Sequence, residues 1–263
     1  MKSKSVSTDL TKKKSTGGIV DTAKTIVYAV LIALVVRTVA FEPFNIPSGS
    51  MVPTLLVGDY LFVSKFTYGY SRYSLPFGVP LFSGRIFSHP PKRGDVAVFK
   101  VPTDNSTDFI KRVIGLPGDR IQMRQGELYI NDQLVPRRKI TQELCPDNVF
   151  DMCTLYVETL PGGVAHNILK KTDQGPVNNT KVYNVPEDNY FMMGDNRDNS
   201  SDSRVAFGGK LNTPDDEIRY VPAENLVGPA RFIFFSTDLT APWWQFWKWP
   251  FAIRYSRLFH SVD

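Results

Sequence analysis

The segment FIKRVIGLPGDRIQM, residues 109–123, decides the fold. Its first part alternates with the period of two that is typical of a β-strand, which predicts a strand over Phe109–Ile114. Leu116–Asp119 then places Pro and Gly where a tight turn needs a fixed negative φ followed by a positive one. A second predicted strand, Arg120–Met123, leaves this turn. The segment therefore indicates two short strands that are joined sharply.

Short apolar or alternating runs, separated by Gly, Pro, Asn and Asp, recur along the chain beyond residue 41. This pattern predicts a mostly β fold with an antiparallel β-sheet core in two parts, 42–120 and 187–263. A more polar stretch, 121–186, is predicted to be an inserted, more irregular β subdomain, and 67–91 an extended hairpin. The other predicted strands are Tyr60–Phe66, Val96–Val101, Glu127–Ile130, Tyr190–Met193 and Leu226–Phe235.

The N-terminal region holds the one candidate for a transmembrane helix. Ile26–Val36 is uninterrupted for eleven residues, whereas a spanning helix needs roughly 20. Residues 23–41 reach that length if Lys24 and Arg37 extend to opposite interfaces. A cleavable signal peptide and a buried soluble helix are the alternatives, although Arg37 lies where a signal peptide would be cut. An anchor predicts that the lysine-rich tail, 1–22, is cytoplasmic.

Composition excludes some classes of function. The net charge of +5 is modest and the charged fraction of 22% is ordinary, so no nucleic-acid partner is predicted. Cys145 and Cys153 match no zinc spacing but lie in the part that would be translocated, where a disulfide persists. Two free thiols are the alternative. The chain also lacks a clustered Cys/His pattern, a His-Glu-x-x-His motif and a phosphate-binding Gly loop, so no metal or cofactor is predicted.

Lys111 is the unusual residue of the deciding segment. In a strand its side chain shares a face with Phe109 and Val113. Burial lowers the pKa of a lysine from about 10.4 by up to ~3–5 units, and a neutral amine can act as a general base. The three histidines, His89, His166 and His260, stand in no recognisable triad pattern. Lys111 is therefore the candidate base, and an edge-strand lysine that reaches water is the alternative.

Two further segments have unusual compositions. Pro47–Leu55 places Gly49 and Ser50 between two prolines, which stiffen the backbone and can present a serine rigidly. An ordinary turn that leaves the bilayer is the alternative. Tyr190–Arg204 is an apolar strand that opens into a loop dense in hydrogen-bonding side chains. It fails the EF-hand pattern, because Arg197 occupies a ligand position, so a well-bonded polar turn is its plain structural interpretation.

Taken together, these segments resemble the bacterial type I signal peptidases, also called leader peptidases, of the Gram-negative type. The matching motifs are Ser48-Gly49-Ser50-Met51, Lys111-Arg112 with Gly115-x-Pro117-Gly118-Asp119, and Gly194-Asp195-Asn196-Arg197 through Asp202-Ser203-Arg204. The resemblance implies a serine endopeptidase that needs no cofactor. One departure concerns topology, because some relatives carry two N-terminal spanning segments and this chain has one candidate.

The resemblance also implies residue roles. Ser50 is expected to be the nucleophile and Lys111 its general base. The Ser50 N–H and the Ser48 hydroxyl would form the oxyanion hole, and Ser200 would orient Lys111. Structural ion pairs are expected from Arg112, Asp195, Asp202 and Arg204. Apolar subsites that accept small residues one and three places before the cut are expected from Phe44, Ile46, Met51, Leu55, Phe109 and Ile110.

By the same resemblance, the substrates would be secretory preproteins and the protein would be a single-pass protein of the bacterial inner membrane. Its catalytic domain would lie in the periplasm. The protein would contact the lipid bilayer and would be a monomer. The aromatic run Ala241–Trp249 is expected to reach the membrane interface, with packing into the core or an interdomain contact as the alternatives. A related Ser–Lys peptidase for one dedicated substrate, such as a conjugative pilin, and a non-catalytic tethered binding protein remain alternative functions.

Overall fold

The computed structural model describes residues 18–75, 82, 84–146, 148–205, 207, 219–242 and 244–262. The chain divides into two compact units, Met1–Val36 and Arg37–Asp263. Residues 1–17 of the predicted cytoplasmic tail lie outside the described residues. The same holds for 76–81 and 83 in the predicted hairpin.

The first unit is built on helix α1, Gly18–Val39. Within it, Val20–Val39 is long and apolar enough to cross a membrane, with a mean hydropathy of 1.7 and exposed side chains. At 1.5 Å per residue, a helix of this length spans about 30 Å, the thickness of a bilayer's hydrocarbon core. The helix ends before Phe41, which was predicted to lie inside it, because Phe41 pairs with Ser64 in a β-ladder.

The second unit is almost entirely β. In chain order its strands are β1 (Phe41–Asn45), β2 (Asp59–Ser64), β3 (Tyr70–Ser71), β4 (Arg85–Ile86), β5 (Val96–Lys100), β6 (Asp108–Gly115), β7 (Arg120–Arg124), β8 (Glu127–Ile130), β9 (Gln133–Leu134), β10 (Arg137–Cys145), β11 (Asn148–Thr159), β12 (Ala165–Lys170), β13 (Tyr183–Asn184), β14 (Asn189–Met193), β15 (Val221–Pro222) and β16 (Leu226–Ser236). A short helix, α2 (Trp249–Ala252), lies near the C-terminus.

The main sheet has seven strands in the order β1-β2-β16-β5-β6-β14-β15. Every neighbouring pair in it is antiparallel. The predicted mostly β, antiparallel fold class is therefore confirmed. Each predicted strand lies on an observed one, and Glu127–Ile130 has the same bounds in both.

The inserted stretch, 121–186, contains two smaller β-sheets, as expected of an inserted β subdomain. Strands β7, β8, β9 and β13 form a four-stranded sheet, and β10, β11 and β12 form a second sheet of three. Strand β11 alone is twelve residues long. Seven consecutive residues of β10, Arg138–Leu144, are exposed on both faces. An alternating pattern of apolar and polar residues arises when one face of a strand is buried. The sequence of β10 lacks this pattern, although β10 pairs with β11 through a ladder with two register shifts.

A disulfide joins Cys145 and Cys153, which belong to β10 and β11. Both cysteines are buried and pack with Val52 and Leu169 in a small apolar cluster. Val52 belongs to the serine turn, defined here as Ser48–Val52, which contains a single 3₁₀ turn at Gly49–Met51. The closed end of the β10–β11 hairpin is thus packed against the serine turn.

The remaining segments with predicted features are short. Strands β3 and β4 pair within the predicted hairpin 67–91. The aromatic run near the C-terminus is exposed in its described part, which excludes core packing of those side chains and leaves membrane contact as a prediction. Exposed aromatic residues are Trp244, Phe246, Trp247, Trp249 and Phe251, and Trp243 lies outside the described residues.

Two apolar side chains, one in the serine turn and one just after it, lie in the core. Met51 and Leu55 are fully buried, each with no exposed surface. Both pack among Leu61, Val63 and other apolar residues between the strands. They were predicted to contact substrate directly, but the structure places them beneath the surface. The reason is local, because the tight turn that places Ser50 beside the cleft directs Met51 into the core.

This placement predicts the stability of a variant. Met51→Ala should lower the free energy of unfolding by about 2–5 kcal/mol, because it leaves a cavity in a packed core. Met152→Ala is the matched control, since Met152 is 47% exposed and should change stability by less than about 0.5 kcal/mol. Urea unfolding of both variants measures the difference. Equal effects at the two positions would contradict the buried placement of Met51.

Candidate active site

Ser50 and Lys111 meet although 61 positions separate them in the chain. The serine turn packs against β6, and the Lys111 Nζ atom lies 2.7 Å from the Ser50 Oγ atom. Both side chains are buried, with 8% of Ser50 and 4% of Lys111 exposed. The alternative of a lysine that reaches water is therefore wrong for Lys111.

Burial lowers the pKa of Lys111 to about 8, because an ammonium group loses its hydration there. The carboxylates of Asp202 and Asp195 act in the opposite direction, and Arg204 lowers the pKa further. With a pKa of about 8, roughly a tenth of the amine is neutral at pH 7. The Nζ atom also lies 3.0 Å from the Ile110 carbonyl oxygen. A neutral Lys111 can therefore donate to Ile110 while its lone pair accepts the Ser50 proton.

A cleft of about 590 Å³ opens above this pair. Strand β1 and the residues that follow it contribute one wall, including Phe44 and Ile46, and β6 contributes Phe109 and Ile110 to the other. All four were predicted to line apolar subsites, and they do line the cleft. Met51 and Leu55, which were predicted with them, are absent from its lining, and neither has any exposed surface.

The two other predicted serines differ in their surroundings. Ser48 is exposed and lines the cleft, and its hydroxyl makes no capping hydrogen bond to the 3₁₀ turn. Ser200 is different, because its Oγ atom is buried and has no hydrogen-bond partner among the described residues. The expected bond from Ser200 to Lys111 is thus not made in this structure, and its orienting role stays a prediction.

Two predicted charge pairs lie beneath the cleft. Arg112 donates from Nε and Nη2 to both carboxylate oxygens of Asp195, at 2.9 and 2.8 Å. Arg204 donates in the same way to Asp202, at 3.0 and 2.8 Å. Burial by itself raises the pKa of each carboxyl group, but the adjacent guanidinium outweighs it and holds both pKa values below the ordinary range. All four side chains therefore remain charged and paired.

Sequence reasoning missed a third pair. Arg197 donates from Nη1 to Glu158 at 2.8 Å, and a second hydrogen bond joins Nη2 to the other carboxylate oxygen. Both side chains are 1% exposed. Glu158 belongs to β11 and Arg197 to the polar loop, defined here as Gly194–Arg204. No local signal in the sequence connects them, because they are 39 positions apart.

His166 also lies within this charged network. Its Nε2 atom is 3.5 Å from Glu158 Oε2 and 3.9 Å from Asp195 Oδ1. Burial lowers the pKa of His166 to about 4, although the two carboxylates act to raise it. The imidazole is therefore neutral near pH 7. It contacts carboxylates of the structural pairs, whereas the partner of Ser50 is Lys111.

The polar loop approaches the serine turn very closely at Gly194. A Cβ atom on Gly194 would lie 2.5 Å from the Ser50 carbonyl oxygen and 2.3 Å from Ser200 Oγ. Only glycine fits between these atoms without displacing backbone. The described residues contain no group of three or more His, Cys, Asp and Glu side chains placed to hold a metal ion. The groups that surround Ser50 are an amine, hydroxyls and backbone amides.

Several known proteins are similar to this chain in sequence. A family model described as signal peptidase, peptidase S26, matches residues 19–235. Signal peptidase I of Rickettsia typhi is 40% identical over 254 residues, covering 89% of this chain and 90% of the relative. Signal peptidase I of Rickettsia canadensis is 39% identical over 258 residues, covering 91% and 92%. A crystal structure of a signal peptidase I from Enterococcus faecalis matches with a TM-score of 0.29 and 22% identity, covering 54% of this chain and 97% of that one.

The match extends over the regions that build the site. The family model includes the serine turn, β6 and the polar loop, and the curated relatives align over about nine tenths of both chains. The chain therefore belongs to the signal peptidase family, peptidase S26, and is an enzyme of that family.

Proposed function

We propose that this protein is a membrane-anchored serine endopeptidase that removes signal peptides from exported preproteins with a Ser50–Lys111 dyad. The observation that carries the proposal is the 2.7 Å contact between Lys111 Nζ and Ser50 Oγ at the base of the cleft. The lowered pKa of Lys111 supports it, because a general base works best when its pKa lies near the working pH. The names of the curated relatives support the choice of substrate.

The proposed reaction is acyl transfer in two stages. Ser50 Oγ attacks the scissile carbonyl carbon while neutral Lys111 takes the hydroxyl proton. The resulting ammonium then protonates the leaving amine, which is the new N-terminus of the mature protein. The signal peptide is then joined to Ser50 Oγ as an ester. A water attacks the ester carbonyl carbon as it gives a proton to Lys111. The bond to Oγ breaks as Lys111 returns that proton to Ser50, and the signal peptide leaves with a free carboxylate. The oxyanion of each tetrahedral intermediate would accept from the Ser50 N–H and the Ser48 hydroxyl.

The apolar lining of the cleft also supports the proposed preference for small residues one and three places before the cut. Phe44, Ile46 and Ile110 present apolar side chains to the cleft close to Ser50. Such walls suit small uncharged side chains in an extended peptide, which are expected one and three residues before the cut. Charged side chains at these positions would lose hydration without a partner.

We further propose that α1 anchors the protein in the bacterial inner membrane. The segment Val20–Val39 has the length and apolar composition of a spanning helix. Lysines precede it, including Lys12, Lys13 and Lys14, and lysine-rich ends remain on the cytoplasmic side. The second unit would then be periplasmic and its partners would be the bilayer and preproteins. Ser50 follows the helix by only eleven residues, which would keep the reaction near the membrane surface.

Two alternative functions differ in substrate or in catalysis. A Ser–Lys peptidase dedicated to one substrate, such as a conjugative pilin, would use the same residues. A non-catalytic tethered binding protein would have no use for a buried lysine beside a serine. Burial of Lys111 costs free energy and brings no ion pair within 4 Å among the described residues, so the catalytic function is favoured.

Substitution of the dyad tests the proposal directly. Ser50→Ala and Lys111→Ala should abolish cleavage of a secretory precursor with alanine one and three places before the cut, measured on the full chain in detergent. Ser48→Ala should lower kcat by about 10²–10³, the usual effect of losing one oxyanion donor. Ser201→Ala is the matched control, because Ser201 lines the cleft and has no proposed role. Cleavage by Ser50→Ala at the rate of the parent protein would refute the mechanism.

The pH dependence of cleavage tests whether Lys111 is the general base. Protonated Lys111 cannot accept a proton, so kcat/KM should fall about tenfold per pH unit below a midpoint near pH 8. Measurement between pH 5 and pH 9 on a peptide without titratable groups gives the midpoint. A rate that stays constant down to pH 5 would exclude a lysine base.

Removal of the buried charge should stabilise the fold while it destroys activity. The folded pKa of Lys111 is about 8, below its ordinary value of 10.5, so its burial disfavours folding below pH 8 and ceases to do so above about pH 10.5. Lys111→Met should therefore raise the free energy of unfolding at pH 7 by up to about 3 kcal/mol. Urea unfolding at pH 7 and pH 10 gives this difference. A less stable Lys111→Met at pH 7 would contradict the desolvation argument.

A further inference from the structure

Asn196 makes two hydrogen bonds to consecutive carbonyl groups of the serine turn. Its backbone N–H donates to the Ser50 carbonyl oxygen at 3.1 Å, and its side-chain Nδ2 donates to the Gly49 carbonyl oxygen at 3.1 Å. Asn196 is buried, with 2% of its surface exposed. One residue of the polar loop therefore holds both peptide units beside the nucleophile proposed above.

The hydrogen bond to the Gly49 carbonyl oxygen determines the direction in which the Ser50 N–H points. In a trans peptide unit the C=O and the following N–H point in opposite directions within one plane. When the Gly49 carbonyl is held toward the polar loop, the Ser50 N–H must point away from it. Glycine has unusual backbone freedom, so this plane needs external support. The Val52 N–H, at 3.2 Å, is the second donor to the same oxygen.

Asn196 is itself held firmly on both sides. The Leu169 N–H in β12 donates to the Asp195 carbonyl at 2.9 Å, and the Arg197 N–H donates back to the Leu169 carbonyl at 2.9 Å. The side chains of Asp195 and Arg197 are both in buried ion pairs. The amide of Asn196 is therefore held in place by the structure around it before any substrate binds.

We propose that Asn196 is a positioning residue for the oxyanion hole. It does not touch the substrate, and it acts by aiming the Ser50 N–H at the point where negative charge develops. The inference rests on the proposed role of Ser50 as the nucleophile. Loss of a whole oxyanion donor typically lowers kcat by about 10²–10³, so misdirection of one donor should lower kcat by about ten- to a hundredfold.

The test uses Asn196→Ala and Asn196→Asp in the full chain in detergent. Both variants keep the backbone N–H bond to Ser50 and remove only the side-chain donor. The carboxylate of Asn196→Asp has nearly the same shape but cannot donate to Gly49. Asn225→Ala is the matched control, because Asn225 is also 2% exposed and donates from Nδ2 to a backbone carbonyl, that of Lys100, at 2.9 Å.

Three measurements separate positioning from a merely structural role. In both Asn196 variants kcat should fall ten- to a hundredfold, with KM changed less than threefold. The pH midpoint of kcat/KM should stay unmoved in Asn196→Ala, which adds no charge beside Lys111. A peptide aldehyde, which forms a tetrahedral adduct with a serine, should bind more weakly by the same factor as kcat/KM falls. The uncleavable peptide amide of the same sequence should bind as before. Asn225→Ala should match the parent protein in all three.

Other results would overturn the inference. Unchanged kcat in the Asn196 variants, or an equal loss of kcat in Asn225→Ala, would exclude a specific positioning role. A shifted pH midpoint in Asn196→Ala would show that Asn196 acts through Lys111 instead. The proposed function fails separately, because its failure would appear as full cleavage by Ser50→Ala, whatever the Asn196 variants do.

Discussion

The buried pair of Arg112 and Asp195 is the interaction on which the site depends. Arg112 follows Lys111 in β6, and Asp195 precedes Asn196 in the polar loop. Because neighbouring residues of a strand face opposite sides, Arg112 reaches the loop while Lys111 faces Ser50. The pair thus joins two elements of the site. One is strand β6, which carries Lys111, and the other is the polar loop, which holds the serine turn. Removal of one partner would leave a buried charge uncompensated, which costs about 3–5 kcal/mol.

The charges around Lys111 also set its chemistry. Asp195 and Asp202 would raise the pKa of Lys111 if they acted alone, but each carboxylate is paired with an arginine. Burial then has the largest effect, and the pKa falls to about 8. Arg204 therefore does more than hold the loop. It opposes the two carboxylates, which favour the protonated amine, and a protonated amine cannot act as a base.

The inserted strands support the site from below. The β10–β11 hairpin, closed by its disulfide, packs against Val52. Glu158 of β11 pairs with Arg197, and Leu169 of β12 is hydrogen-bonded to the polar loop on both sides of Asn196. A segment that resembles a surface insertion by composition is thus part of the scaffold that orients the serine turn.

The sequence by itself determined the mostly β fold and the strand that carries Lys111, because alternation and turn residues act over a few positions. It also placed Lys111 on an apolar face of that strand, and this placement identified Lys111 as the candidate base. Local chemistry did not show that Ser50, and not Ser48, contacts Lys111, and it did not reveal the buried positions of Met51 and Leu55. The tertiary structure decided these points, as well as the Glu158–Arg197 pair and the bond from Asn196 to Gly49. Those contacts join residues 39 and 147 positions apart, and only the packing of the sheets brings such distant residues together.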